Sequence, residues 1–343
     1  KSTKRFTFME MENLTILDSL PEEFFKSSAQ GLFKIFNSPT LVHLKSEVNN
    51  PDKKAIFISS LLHGNEHSGV MSVQELLQST EKLDRDLILF FGNIKAAKYG
   101  KRHLDSQLDY NRIWTSNSPF VKKTLAYLEE HDVELCIDLH NNTGNNPCYS
   151  CISQKSIEHY NLAYQFSDKI VYFTDPIDAL SVVLSKKWPS VTIEAGKSGD
   201  PVGIYKTVNF LKKVIQGIDL KAPLEVKPRV FHTIGKIRVD IDDPVTFEED
   251  EFKGDGFLFR HDLETLNFSK LSGDSWIGRS EKLPVIENYS KDPNRSLDYF
   301  ELQDDLIVCK KPFIPAMLTH DIEIIYSDCL GYIMEEEIIE LKS

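Results

Sequence analysis

Apolar positions in the first two thirds of the chain fall into two alternating rhythms. Short runs that are apolar almost throughout, "AIFISSLL" (55–62), "LILFFGNI" (87–94), "VELCIDLH" (133–140), "KIVYF" (169–173) and "VTIEAG" (191–196), have the length and β-favouring content of strands buried on both faces. Between them, apolar residues recur at helical spacing. Val70, Val73, Leu76 and Leu77 predict a helix behind the first run, with Ser68 as its N-cap. "SPFVKKTLAYLEEHD" (118–132) predicts another, capped by Ser118 with Pro119 at the first helical position. Further helices are predicted around 156–167 and over 202–218. Strands that alternate with helices predict an α/β fold, a mixed and mostly parallel sheet with helices on both faces.

Near Pro223 the rhythm changes to short alternating runs punctuated by Gly, Pro and Asp. A boundary is therefore expected at about 222–228, dividing the chain into an α/β domain, 1–224, and a smaller β-rich domain, 225–343. No repeat or low-complexity tract is present. The acidic cluster from Asp240 to Glu251 lacks the regularly spaced ligands and Gly of a calcium loop and reads as a solvated face.

Composition narrows the classes. A length of 343 residues with 41% hydrophobic and 27% charged content is ordinary for a soluble protein that buries a sizeable core. No apolar run reaches the roughly 18 residues that a membrane-spanning helix needs. A formal net charge of -12 argues against nucleic acid or an anionic membrane as the main partner, since either calls for a basic footprint. An acidic small substrate would need a local basic patch. The basic opening stretch "KSTKRFTFMEMENL" lacks the apolar core of a secretory signal, so a cytoplasmic location is expected. Five scattered cysteines do not form a disulfide framework, and Cys148-x-x-Cys151 has no second pair, so free thiols are expected. Composition leaves a homo-oligomer open.

The chemistry begins in "SSLLHGNEH" (59–67), which holds the spacing His-x-x-Glu-His. In one reading His63 and His67 hold a metal from one helical face while Glu66 is the base. In the other, His63 and Glu66 are ligands and the third lies far along the chain. His63 follows an apolar strand directly and Gly64-Asn65 is turn-prone, so the segment belongs to a strand-to-helix connection, which weakens the helical reading. His140 also ends an apolar strand, in "CIDLHNNTG". Either histidine alone is an ordinary loop residue. Two imidazoles at neighbouring strand ends, with a carboxylate beside the first, make a three-ligand zinc site with a fourth position for water. Asp138 shares a strand face with His140 and could orient its ring. Glu194, an acid in the apolar run "VTIEAG", is costly there unless it is paired or functional, and it suits a proton acceptor. The long loop 95–114 collects Lys95, Lys98, Lys101, Arg102 and Arg112 in an acidic protein. Arg112 beside Asn111 offers a fork for a carboxylate, and Arg102 could polarise a carbonyl.

Taken in order, "HGNE" (63–66), "DYNR" (109–112), "DLHN" (138–141) and "IEAG" (193–196) resemble the succinylglutamate desuccinylase/aspartoacylase family of the zinc carboxypeptidase clan. The motifs span roughly 45–200. The resemblance implies one zinc per chain, bound by His63, Glu66 and His140. It also implies Asn111 and Arg112 as the anchor for the substrate's α-carboxylate, Glu194 as the catalytic acid–base, and Arg102 as the group that polarises the carbonyl. Two departures matter. The spacing from Arg102 to the Asn-Arg pair is about two residues longer than the family pattern, and Leu184 stands where aspartoacylase carries an arginine for a substrate side-chain carboxylate. The second departure speaks against acetylaspartate as the substrate. Tyr289 and Tyr299 are the candidates for a substrate tyrosine in the β-rich domain. The implied function is a zinc hydrolase that cleaves the amide bond of a small anionic N-acyl amino acid. A carboxypeptidase acting on peptides or peptidoglycan fragments and a non-catalytic zinc-binding module remain the alternatives.

Overall fold

The continuous apolar runs form the centre of a large mixed sheet, because such strands need cover on both faces. In this computed structural model, residues 12–337 are described, apart from 49, 51, 225–227, 249–251, 290, 291 and 293. The first two thirds hold β1 (Thr15–Leu17), β2 (Thr40–Leu44), β3 (Ala55–Ser60), β4 (Leu87–Phe91), β5 (Val133–Asn142), β6 (Tyr149–Ile152), β7 (Lys169–Tyr172) and β8 (Ser190–Lys197). Their helices are α1 (Ser68–Gln78), α2 (Ile94–Ala97), α3 (Pro119–Glu130), α4 (Ile157–Tyr164), α5 (Leu180–Leu184) and α6 (Pro201–Gln216). The last third holds β9 (Arg229–Arg238), β10 (Val245–Phe247), β11 (Phe257–Phe259), β12 (Trp276–Arg279), β13 (Val285–Asn288), β14 (Phe300–Gln303), β15 (Leu306–Cys309), β16 (Ile314–Ala316), α7 (Ile322–Ser327) and β17 (Gly331–Glu337).

Among the described residues the large sheet has 12 strands, in the order β1-β2-β4-β3-β5-β8-β6-β7-β9-β17-β16, with β13 also paired to β9. Its centre, β4-β3-β5-β8, is parallel. Strand pleat sorts the apolar residues onto two faces. Ile56, Ile58, Leu135, Ile137 and Ile193 meet Val70 and Val73 of α1 and Phe210 and Leu211 of α6. Phe57, Ile88 and Phe90 face the other way, toward Phe120 and Leu128 of α3 and Leu180 and Leu184 of α5. Each such side chain, fully buried, contributes about 1.5–3 kcal/mol relative to exposure.

The predicted strands and helices are present, with small differences at their ends. Pro119 opens α3 as expected, although the Ser118 side chain makes no capping bond. Ser68 is not the cap of α1. It is the first helical residue, and its amide donates to Asn141 Oδ1 at 3.1 Å. A partner from the end of β5 thus replaces the local cap.

The expected boundary falls in part on residues 225–227, outside the described residues. The sheet continues across it. β9 pairs in parallel with β7, Lys169 opposite Arg229, and β17 and β16 extend the sheet beyond β9. A separate five-stranded sheet, β10-β11-β12-β15-β14, packs with β9 and β17 around its own core of Phe257, Phe259, Tyr299 and Ile333. No helix among the described residues is long and apolar enough to cross a membrane.

Candidate functional site

β3 ends at Ser60, and the chain breaks from the strand at Leu61, which takes a left-handed φ of 60°. His63, Gly64, Asn65 and Glu66 then form a tight turn before α1, closed by the Glu66 amide donating to the His63 carbonyl at 3.1 Å. Gly64 is required by space. A Cβ there would lie 2.3 Å from the Ala97 nitrogen and 2.6 Å from the Lys101 carbonyl oxygen. His140 lies near the C-terminal end of β5, the strand next to β3, and Glu194 stands opposite it on β8. The motif residues therefore meet at one edge of the sheet, where open α/β sheets place their sites.

His63 Nδ1 lies 2.6 Å from Glu66 Oε1, and His140 Nδ1 lies 2.7 Å from Glu66 Oε2. The outer ring nitrogens are held as well: His63 Nε2 is 3.0 Å from Asp109 Oδ1, and His140 Nε2 is 2.9 Å from Asp138 Oδ2. Asp138 in turn accepts from the Ser59 hydroxyl. A neutral imidazole carries one N–H, and an ionised carboxylate can only accept. With each Nε2 donating outward, both Nδ1 lone pairs face the Glu66 carboxylate, acceptor against acceptor. A shared cation relieves that opposition, as does protonation of the rings. One ligand atom from each of His63, Glu66 and His140 lies within 4.8 Å of the others, so the buried group could hold a metal ion. Carboxylates on the far ring nitrogens are the usual second support of metal-bound histidines.

The charges around this group act on one another at close range. Burial opposes ionisation of Glu66, but His63 and His140 hold its carboxyl well below the usual carboxylate range. Burial likewise opposes charge on Asp109, and His63, Arg102 and Arg112 outweigh it and hold the carboxyl down. Glu194 goes the other way. Burial pushes it up to about 7 even though His140 pulls it down, and its carboxylate accepts a long 3.5 Å contact from Asn142 Nδ2.

A pocket of about 490 Å3 opens over this group and is lined by His63, Glu66, His140, Glu194, Arg102, Asn111 and Arg112. All seven residues singled out from the sequence are brought together. Arg102 donates to Asp109 Oδ2 through Nε at 3.0 Å and Nη2 at 2.9 Å. Arg112 donates to the Asn111 carbonyl at 2.8 Å, and Asn111 Oδ1 accepts from the Leu180 amide at 2.9 Å, which ties this loop to the start of α5. His67 stands apart. Its Nε2 lies 3.2 Å from the Gly64 carbonyl and its Nδ1 3.4 Å from the Gln30 amide nitrogen.

Two expectations shift and a third is met. Leu184 is 2% exposed and packs in the core beneath α5, so it does not line the pocket at all. Tyr289 lines the pocket, whereas Tyr299 is fully buried in the C-terminal core and donates to Glu335. Cys148 and Cys151 are free thiols, as expected, and among the described residues only the His63-Glu66-His140 group has the geometry of a metal site. Sequence reasoning quoted Asp109 within "DYNR" but missed the clamp it makes; its structural sign is its place as N-cap of the short turn Tyr110–Arg112. It also missed Tyr149, opposite Glu194 on β6, and the wall built by Asp328 and Tyr332 from the C-terminal third.

The catalytic domain of succinylglutamate desuccinylase/aspartoacylase matches residues 52–200 of the chain. No curated protein sequence matches it. Among solved structures, succinylglutamate desuccinylase from Vibrio parahaemolyticus is similar with a TM-score of 0.58 at 13% identity, covering 88% of this chain and 87% of that one. Succinylglutamate desuccinylase/aspartoacylase from Rhodobacter sphaeroides has a TM-score of 0.56 at 12% identity, covering 87% and 89%. Murine aminoacylase 3 has a TM-score of 0.54 at 15% identity, covering 84% and 97%. At these identities the structures speak for the fold, and the sequence match adds that the segment holding the site motifs, residues 52–200, is similar to the succinylglutamate desuccinylase/aspartoacylase catalytic domain.

Proposed function

We propose that the chain is a zinc-dependent deacylase that cleaves the amide bond of a small N-acyl amino acid. The observation that carries the reading is the convergence of two imidazole Nδ1 atoms and one carboxylate, with the buried, poorly solvated Glu194 across the strand register from His140. Two histidines and a glutamate suit zinc and leave a further position for water or substrate. Zinc bound there would supply Lewis acidity toward water and the amide carbonyl.

The chain's own residues would do the rest. Arg112, with Asn111, binds the substrate's carboxylate in a protein that otherwise repels anions. Glu194 takes a proton from the attacking water and returns it to the leaving nitrogen, a role favoured by a pKa close to the working pH. Arg102 uses Nε and Nη2 on Asp109, which leaves Nη1 for the carbonyl oxygen as it gains charge. Asp109 and Asp138 hold the ligand rings in the tautomer that turns Nδ1 inward.

The test is hydrolysis by the zinc-loaded full chain of N-acyl amino acids against di- and tripeptides with free carboxyl termini. The reading expects the N-acyl amino acids to be the better substrates. Preference for the peptides would favour a carboxypeptidase, and zinc binding with no turnover in either set would favour a non-catalytic module.

A further inference from the structure

The pocket continues past Glu194 along the sheet, and its composition changes there. Thr192 lies two residues before Glu194 on β8 and so shares its face. Cys151 of β6 stands opposite Thr192, and Val171 of β7 stands opposite Cys151. These residues, with Phe173 beyond β7 and Ala179 before α5, line the same pocket. Cys151 and Val171 belong to a small apolar cluster, with Phe173 packed against it, that is separate from the main cores. The result is a pit beside Glu194 whose walls are mainly apolar, although Tyr149, Thr192, Thr233 and Asp175 also line the pocket.

The cations of the pocket are all committed elsewhere. Among the described lining residues, they are Arg102, Arg112 and Lys197 besides the two histidines of the metal group. Arg102 is ion-paired with Asp109 at 2.9 Å, and Lys197 with Glu264 at 3.0 Å. Arg112 donates to the Asn111 carbonyl and, on the deacylase reading, is the anchor for the one carboxylate that every amino acid carries. The Asn111 side chain holds the Leu180 amide, so this anchor adjoins Ala179, one wall of the pit. On that reading, an α-carbon with its carboxylate on Arg112 and its amide at the metal group would direct its third substituent toward Ala179 and the pit.

We propose that the pit selects the side chain of the amino acid, and that the preferred substrates are N-acyl derivatives of amino acids with apolar, uncharged side chains. This rests on the deacylase reading. A second carboxylate would enter a mainly apolar pit where the cations among the described lining residues are already engaged and Asp175 and Glu194 are themselves acidic, and an ammonium group would lose its hydration against Cys151, Val171 and Phe173. An aliphatic or aromatic side chain would instead cover Val171, Cys151 and Phe173.

The experiment holds the acyl group constant. The zinc-loaded full chain is given N-acetyl-leucine, N-acetyl-phenylalanine, N-acetyl-aspartate and N-acetyl-lysine, with kcat/KM measured for turnover and calorimetry for binding. The proposal expects the apolar pair to lead by at least about 10-fold in both. Equal or better performance of the aspartate or lysine derivative overturns it while leaving the deacylase reading intact. Binding in the expected order without turnover supports the pit and overturns the deacylase reading, and binding of none of the four overturns both. Val171→Arg should move preference toward N-acetyl-aspartate. Should that variant fail to fold, the milder Val171→Ala should lower kcat/KM for N-acetyl-leucine several-fold with little effect on N-acetyl-aspartate, and an unchanged preference would count against the pit.

Discussion

Glu194 shows at the scale of one residue how environment sets chemistry. In an otherwise apolar strand, burial raises its carboxyl to about 7, and a base works only when deprotonated. Activity should therefore fall as pH drops through that value, and a divalent cation beside it can only move the acid limb lower. A kcat/KM profile that loses its acid limb in Glu194→Gln checks this, and that variant should lose about 100-fold or more in turnover while still binding zinc. His67 and His140 make the sharper comparison. Metal analysis should find zinc retained in His67→Ala, whose ring lies on the Gly64 carbonyl, and lost in His140→Ala, whose Nδ1 faces Glu66. The opposite result would restore the helical His-x-x-Glu-His reading. Asp109→Asn keeps shape but weakens the hold on both His63 and Arg102, so a chelator titration should show zinc affinity about 10- to 100-fold weaker.

At the scale of elements, the strand-to-helix turn after β3 is specified by packing as much as by local preference. Gly64→Ala would drive a methyl group into the backbone at Ala96 and Ala97, and overpacking of this kind typically costs about 1–3 kcal/mol. A thermal midpoint several degrees lower, together with weaker zinc binding because His63 shifts, is the expected pair of results. The main strands and helices were legible because each is encoded within a window of a few residues, by continuous apolar content or helical spacing. The cap of α1 was not. Ser68 has the right chemistry for an N-cap, but Asn141, far away in sequence, satisfies that amide instead. Leu184 is a related case: its distance from Glu194 in sequence does not say which face of α5 it occupies, and that face packs into the core.

The whole molecule depends on its last third more than a simple two-domain division suggests. β9 covers the edge of β7, β17 covers β9, and Phe231, Ile314 and Met334 close the apolar cluster beside Tyr149 and Cys151. A fragment ending at residue 224 should therefore expose a strand edge and an apolar face. It is expected to aggregate or to lose cooperative unfolding, as measured by thermal denaturation and size-exclusion chromatography. Soluble, cooperative folding of that fragment would show that the α/β portion stands alone.

By itself the sequence determined the layered α/β architecture and the positions of His63, Glu66, His140 and Glu194 at strand ends, because those signals are local: an apolar run, a turn-forming pair, an acid where apolar residues belong. Only the tertiary structure decided that Asp109 clamps both a ligand ring and Arg102, that Leu184 turns away from the pocket, and that Tyr289 rather than Tyr299 reaches it. Those outcomes depend on contacts between segments far apart in the chain. A side chain's partner across such a distance is set by how the sheet is ordered and which face each residue presents, and neither is written in any short window of residues.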